Sequence, residues 1–234
     1  MADLSDLIGG AATLAFPDHL NLTEVAEFVS DWHLKETLAQ SPSSSVFSAI
    51  DGAGKPCVIK AYAQPYDKAG AGAREMQRAE FEQEVSKRLP KLTPTCYAVS
   101  RYKGLIISAW DFAKGTPLSK LKADEVPQDK LIETCAYALE AVHNAGLLHL
   151  DLKPSHIFVE QEPSLRVQFI DWGLACEIEG APPSDHDLFT TPRFASPNRL
   201  KGLPPSRGDD WFALAKSLEV LLGPLDDFTT LAKT

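Results

Sequence analysis

Cysteine, methionine and long apolar stretches are all scarce in this chain of 234 residues. The four cysteines, Cys57, Cys96, Cys135 and Cys176, lie far apart with no CxxC pair and no Cys/His cluster, so neither a zinc site nor a redox dithiol is indicated. Free thiols in a reducing compartment are the expectation. Basic residues are also in the minority: 23 Lys and Arg stand against 32 Asp and Glu, a formal charge of −9. That balance repels nucleic-acid phosphates and anionic membranes, and no nucleic-acid partner is expected. The opening residues, MADLSDLIGG, carry acids where a secretory signal needs lysine or arginine. No apolar run approaches the roughly 20 residues that span a bilayer, so the reading is a cytoplasmic protein without a transmembrane segment. What remains is 44% hydrophobic and 24% charged, the balance of a folded globular chain long enough for one large domain or two lobes.

Along the chain, Val25, Phe28, Val29 and Trp32 recur at helical spacing behind Thr23, which predicts an N-terminal helical extension over 1–33. From Leu34 the texture turns to short runs of β-favouring residues, LKETLA, VFSAI and PCVIKAY, the last two separated by the turn DGAGK. The segment AQPYDKAGAGA has loop composition, and Arg74 to Leu89 is helical, with Phe81, Val85 and Leu89 on one face. YAVSRYKGLIISAW supplies two more strands around Lys103 and Gly104. Beyond Gly115 the pattern is mainly helical, most clearly over Pro127 to Asn144, where Leu131, Cys135, Ala138, Leu139 and Val142 share a face and Gly146 is the C-terminal stop. An α+β chain follows, with a five-stranded antiparallel portion carrying one main helix over 34–110 and a helix-rich portion over 111–234.

Two stretches carry chemistry: LLHLDLKPSHIFV, residues 147 to 159, and VQFIDWGLA, residues 167 to 175. The pattern HxDLKP, a strand, then Asp-aromatic-Gly resembles the catalytic core of the protein-kinase-like superfamily, and a two-lobed fold with a reduced helical C-lobe is what the resemblance implies. By the same resemblance Asp151 matches the catalytic aspartate that accepts the proton of the substrate hydroxyl, and Lys153 the lysine that contacts the transferred phosphoryl. Asp171 matches the metal-binding aspartate, and carboxylate oxygens suit hard Mg²⁺. His149 matches a supporting residue beneath the Asp-aromatic-Gly.

Further matches lie on both sides. Lys60, in VIKAY on the third strand, resembles the lysine that binds the α- and β-phosphates of ATP, and it requires an acidic partner on the next helix. Glu80, Glu82 and Glu84 compete for that role; Glu82 ranks first because it lies seven residues before Leu89, the spacing usual in the family the chain resembles, and residues two apart on a helix point about 200° apart, so the other two face elsewhere. Trp110 falls at the gatekeeper position, and Asp111 to Ala113 at the hinge that holds adenine. TTPRFASPNRL resembles the end of an activation segment, with Thr191 at the substrate-facing threonine. Asp210, in GDDWFALAKSLEVLL, resembles a buried anchor for the catalytic loop.

Four departures stand against this pattern. Where the family has GxGxxGxV, this chain has AQSPSSSV, in which Ser43, Ser44 and Ser45 offer hydroxyls in place of glycine amides. His156 replaces the metal-binding asparagine; imidazole suits Mn²⁺ better than Mg²⁺, and the same change occurs in kinases that resemble those acting on lipopolysaccharide core sugars. Leu150 replaces the arginine of HRD, which removes the usual partner of an activation-segment phosphate. The sequence stops twelve residues after Leu222, which reads as a minimal kinase or one completed by a partner. An ATP-dependent, minimal serine/threonine protein kinase resembling the bacterial ones ranks first, a sugar or lipopolysaccharide kinase second and a pseudokinase scaffold third, with a protein or sugar hydroxyl as the acceptor.

Overall fold

The computed structural model describes residues 32–40, 44–62, 71–102, 105–179 and 191–225. The expected helix over Val25, Phe28 and Val29, the turn at Lys103 and Gly104, and Ser43 lie outside these residues. Trp32 is not helical: it opens strand β1 (Trp32–Gln40), which pairs antiparallel with β2 (Ser44–Asp51) and sets Trp32 opposite Asp51. Its side chain is an aromatic suited to a pleated surface, and the ladder outweighs the local helical spacing.

The DGAGK turn forms because the Asp51 side chain does the work of a backbone acceptor. Its Oδ1 accepts from the N–H groups of Ala53 and Lys55 at 2.9 and 2.8 Å, so the chain reverses into β3 (Pro56–Tyr62). Helix α1 (Ala71–Arg88) begins three residues ahead of the expected Arg74; Ala71 and Ala73 are strong helix formers and extend it. Strands β4 (Cys96–Tyr102) and β5 (Leu105–Trp110) complete one sheet in the order β1-β2-β3-β5-β4. The fold is α+β, as its five-stranded antiparallel sheet and segregated helices require.

The chain divides into two compact units, Met1–Glu75 with Ser100–Ile107, and Met76–Val99 with Ser108–Thr234. In the first, Phe47, Ala49, Cys57, Ile59 and Ala61 are buried along β2 and β3. In the second, β6 (Thr116–Pro117) precedes helix α2 (Gln128–Asn144), whose Leu131, Cys135, Ala138, Leu139 and Val142 are buried, as the periodicity requires. Gly146, at φ 77°, takes the left-handed turn that ends this helix. After it come β7 (Leu147–Leu148), β8 (Ile157–Glu160), β9 (Arg166–Phe169) and β10 (Cys176–Glu177). A short α3 (Pro197–Leu200) and the longer α4 (Arg207–Leu222) follow. β8 pairs with β6 and β9, and β7 with β10. The loops that leave β7 and β9 carry Asp151 and Asp171, and the core beneath them is built from Leu139, Leu152, Ile157, Phe169, Trp172 and Leu214.

All four cysteines are buried free thiols. Burial pushes Cys96 and Cys135 up to about 12 and Cys176 to about 11, so these three stay protonated and inert. No helix among the described residues is long and apolar enough to cross a membrane.

Candidate active site

The loop after β7 is shaped from below. Asp210, on the first turn of α4 and wholly buried, accepts the backbone N–H of His149 at 2.9 Å and that of Leu150 at 2.7 Å, and its Oδ2 also meets His143 Nε2 at 3.1 Å. These contacts fix Leu150 in the left-handed backbone region, at φ 63°, a conformation costing roughly 1–2 kcal/mol for a side chain of this kind. His143 was not foreseen in the sequence. The signal was there: it follows Leu139 by four residues on the buried face of α2, where a polar side chain needs a partner.

His149 links the two loops. Its Nε2 lies 3.1 Å from the carbonyl of Ile170, which can only accept, so Nε2 carries the proton and Nδ1 is left to accept the N–H of Asp151 at 3.3 Å. The ring also packs on Trp172 at a tilt of 40°, with centroids 4.3 Å apart. Burial holds the His149 imidazole below its ordinary pKa, which keeps it neutral in this role. Trp172 is itself tied down, its indole N–H donating to the carbonyl of Phe169 at 3.2 Å. Asp171, just before it, is held at φ 62°.

Above this support five side chains from the sequence analysis converge. Lys153 Nζ donates to Asp151 Oδ2 at 2.9 Å and reaches Thr191 Oγ1 at 3.4 Å, while the Thr191 hydroxyl donates to Asp151 Oδ1 at 3.0 Å. His156, in the short turn before β8, lies against the Asp151 carbonyl through Nδ1 at 2.9 Å. With the ring neutral, that contact puts its proton on Nδ1 and leaves Nε2, 3.5 Å from Asp171 Oδ2, as the atom able to ligate a cation. One ligand atom each from Asp151, His156 and Asp171 falls within 4.8 Å of the others, a spacing that suits a shared divalent cation. Asp151 is held above the usual aspartate range, first by burial and then by Asp171, with Lys153 pulling the other way. A carboxylate in this state accepts a proton more readily than an exposed one.

Of the three competing glutamates on α1, Glu82 is 2% exposed whereas Glu80 and Glu84 face solvent. A side chain at position 173 would put its Cβ 3.3 Å from Glu82 Oε1 and 3.5 Å from Asp171 Oδ1. Glycine there lets the Glu82 carboxylate reach the turn that carries Asp171. Glu75, one heptad earlier on the same helix, is also buried, and the sequence offered no reason to single it out. Within the first unit Lys60 is buried on β3 with its Nζ 5.3 Å from the Tyr62 ring, and Ser44 and Ser45 are buried at the start of β2. At the end of β5 the indole N–H of the buried Trp110 donates to Ser108 Oγ at 2.7 Å. The next residue, Asp111, donates its backbone N–H to the Thr95 carbonyl at 2.9 Å, and Ala113 is half-buried.

Residues 32–224 match the family model for the protein kinase domain. The chain belongs to the protein kinase family. It is 26% identical over 209 residues to the smooth muscle myosin light chain kinase of Gallus gallus, covering 86% of this chain and 11% of that protein. It is 27% identical over 169 residues to the serine/threonine-protein kinase PknF of Mycobacterium tuberculosis, covering 66% of this chain and 36% of that one. It is also 28% identical over 170 residues to the serine/threonine-protein kinase Nek4 of Mus musculus, covering 69% and 21%. The chain thus spans about a third or less of each of these relatives. Membership makes a phosphotransferase of the kinase type the expected activity, and ATP with Mg²⁺ the general requirement of the family.

Proposed function

We propose that this chain transfers the γ-phosphate of ATP to a serine or threonine hydroxyl of a protein. The observation that carries this reading is the Thr191 hydroxyl, an alcohol oxygen already bonded to Asp151 and within reach of Lys153. The same carboxylate would receive an acceptor's proton, and Lys153 would face the phosphoryl as it moves. Asp171 and His156 would hold the divalent cation, which when bound neutralises phosphate charge. Lys60 and Glu82 would orient the nucleotide phosphates, Ser43 and Ser44 would border them, and the backbone at Asp111 and Ala113 would receive adenine. Residues 34–110 form the nucleotide lobe in this reading and 111–234 the acceptor lobe, in the cytoplasm.

Incubation of the pure protein with labelled ATP, candidate proteins and candidate core sugars tests the reading. Label on protein serine or threonine is expected. Label on sugar alone would favour the sugar-kinase alternative, and no label with any acceptor would leave a scaffold.

Activity is expected to be independent of phosphate in residues 174–196. Where the pattern has an arginine, Leu150 packs with Leu148 and Cys176 in a small cluster that Leu174 and Ile178 complete. The start of the segment is thereby held by apolar contact in place of an arginine–phosphate pair. Turnover before and after phosphatase treatment should agree; a tenfold drop would refute the expectation.

His156→Asn checks the cation. If Nε2 is a ligand, replacing it with an amide oxygen should raise the ratio of Mg²⁺-supported to Mn²⁺-supported turnover. An unaltered ratio would show that the ring only supports the Asp151 carbonyl.

A further inference from the structure

Arg88, the last residue of α1, has no part in the pattern that identifies the family, yet its guanidinium joins three elements of the second unit. Nη1 donates to Glu177 Oε1 at 2.5 Å, Nη2 reaches Glu177 Oε2 at 3.4 Å, and Nη2 also donates to the carbonyl of Ala145 at the end of α2. Glu177 lies on β10 opposite Leu147 of β7, and the next residue, Ile178, donates its N–H to the Gly146 carbonyl at 2.8 Å. The fork therefore meets β10 directly where β10 pairs with the strand leading into Asp151. At the other end of the same stretch, the Glu82 carboxylate approaches Gly173. One helix thus meets residues 173–177 at both ends, lying against Gly173 through Glu82 and bonded to Glu177 through Arg88.

We propose that Arg88 is a positioning residue, which through its fork on Glu177 and Ala145 keeps α1 in register with residues 173–177 and so sets Glu82 and Asp171 relative to each other. A bidentate guanidinium–carboxylate pair fixes direction as well as distance, which a lysine would not. The Arg88 and Glu177 side chains are 30% and 44% exposed. An ion pair this open adds little to global stability, so removing it is expected to alter local order and turnover while leaving the melting temperature nearly unchanged.

Three variants decide the matter: Arg88→Gln, Glu177→Gln and the two combined. Amide hydrogen exchange over residues 172–178 is expected to quicken about tenfold or more in each, with α2 as protected as in the parent. The double variant should exchange no faster than Arg88→Gln alone, which already removes both the Glu177 and the Ala145 contacts. The turnover arm rests on the kinase reading: kcat should fall by about fivefold while the melting temperature moves by no more than about 2 °C. Unchanged exchange over 172–178 would overturn the clasp. Faster exchange throughout α2 would reduce Arg88 to a merely structural contact, and local loosening with undiminished kcat would equally refute a positioning role. A parent protein that transfers no phosphate would overturn the kinase reading instead, and the exchange measurements alone would then decide whether the clasp exists.

Discussion

Asp171→Asn is expected to lose metal-dependent nucleotide binding, whereas Asp151→Asn should bind nucleotide nearly as well as the parent and fail at transfer. The two carboxylates share one cluster but differ in surroundings. Asp171 has a side chain 42% exposed and faces His156 Nε2, an open position suited to a cation with its own water and phosphate ligands. Asp151 is less exposed, is engaged by Lys153 and Thr191, and is held above the ordinary aspartate range by burial. An amide at 151 keeps the shape and removes the proton acceptor, a change expected to cost about 10²- to 10⁴-fold in kcat. Calorimetric titration with a non-hydrolysable ATP analogue and Mg²⁺, alongside single-turnover transfer, separates the two effects. Undiminished transfer in both variants would remove the assignment of this cluster as the active site.

The second large effect is expected at Asp210, outside the chemistry. Asp210→Ala leaves the N–H groups of His149 and Leu150 and the ring of His143 without their acceptor in a site closed to solvent. Orphaning buried donors of this kind costs about 1–3 kcal/mol each, so a loss of 3 kcal/mol or more is expected, on the order of a large part of a domain's stability. Asp210→Asn keeps one acceptor oxygen and should lose less. Urea unfolding of the three proteins measures the difference, and a loss below about 1 kcal/mol for the alanine variant would show that water or a shifted backbone replaces the carboxylate.

How much of this was legible beforehand varied with the range of the interaction responsible. The strands from Ser44 to Tyr62 and helix α2 follow from local periodicity, whereas the choice of Glu82 over the exposed Glu80 and Glu84 came from the spacing usual in the family. The grouping of Asp151, Lys153, His156, Asp171 and Thr191 was legible only through motifs, because those residues span forty positions and meet through tertiary packing. Trp32 misled because its helical spacing is local while the ladder that claims it pairs with Asp51. His143 and Arg88 escaped for the same reason in reverse: their partners, Asp210 and Glu177, lie 67 and 89 residues away, and no short pattern records such a pairing.

The left-handed backbone at Asp171 has a consequence for how this protein would respond to selection. Glycine adopts φ near +60° without the steric cost that a side chain meets there. Asp171→Gly should therefore relax the turn, which the Trp172 indole and the His149 ring would still brace from beneath. A population of variants screened for heat resistance alone would be drawn toward glycine at this position, and one screened for turnover would be driven back to aspartate. If Asp171 holds the cation as proposed, endurance and activity would pull this single residue in opposite directions, a trade-off expected wherever a side chain is kept in left-handed backbone for its chemistry.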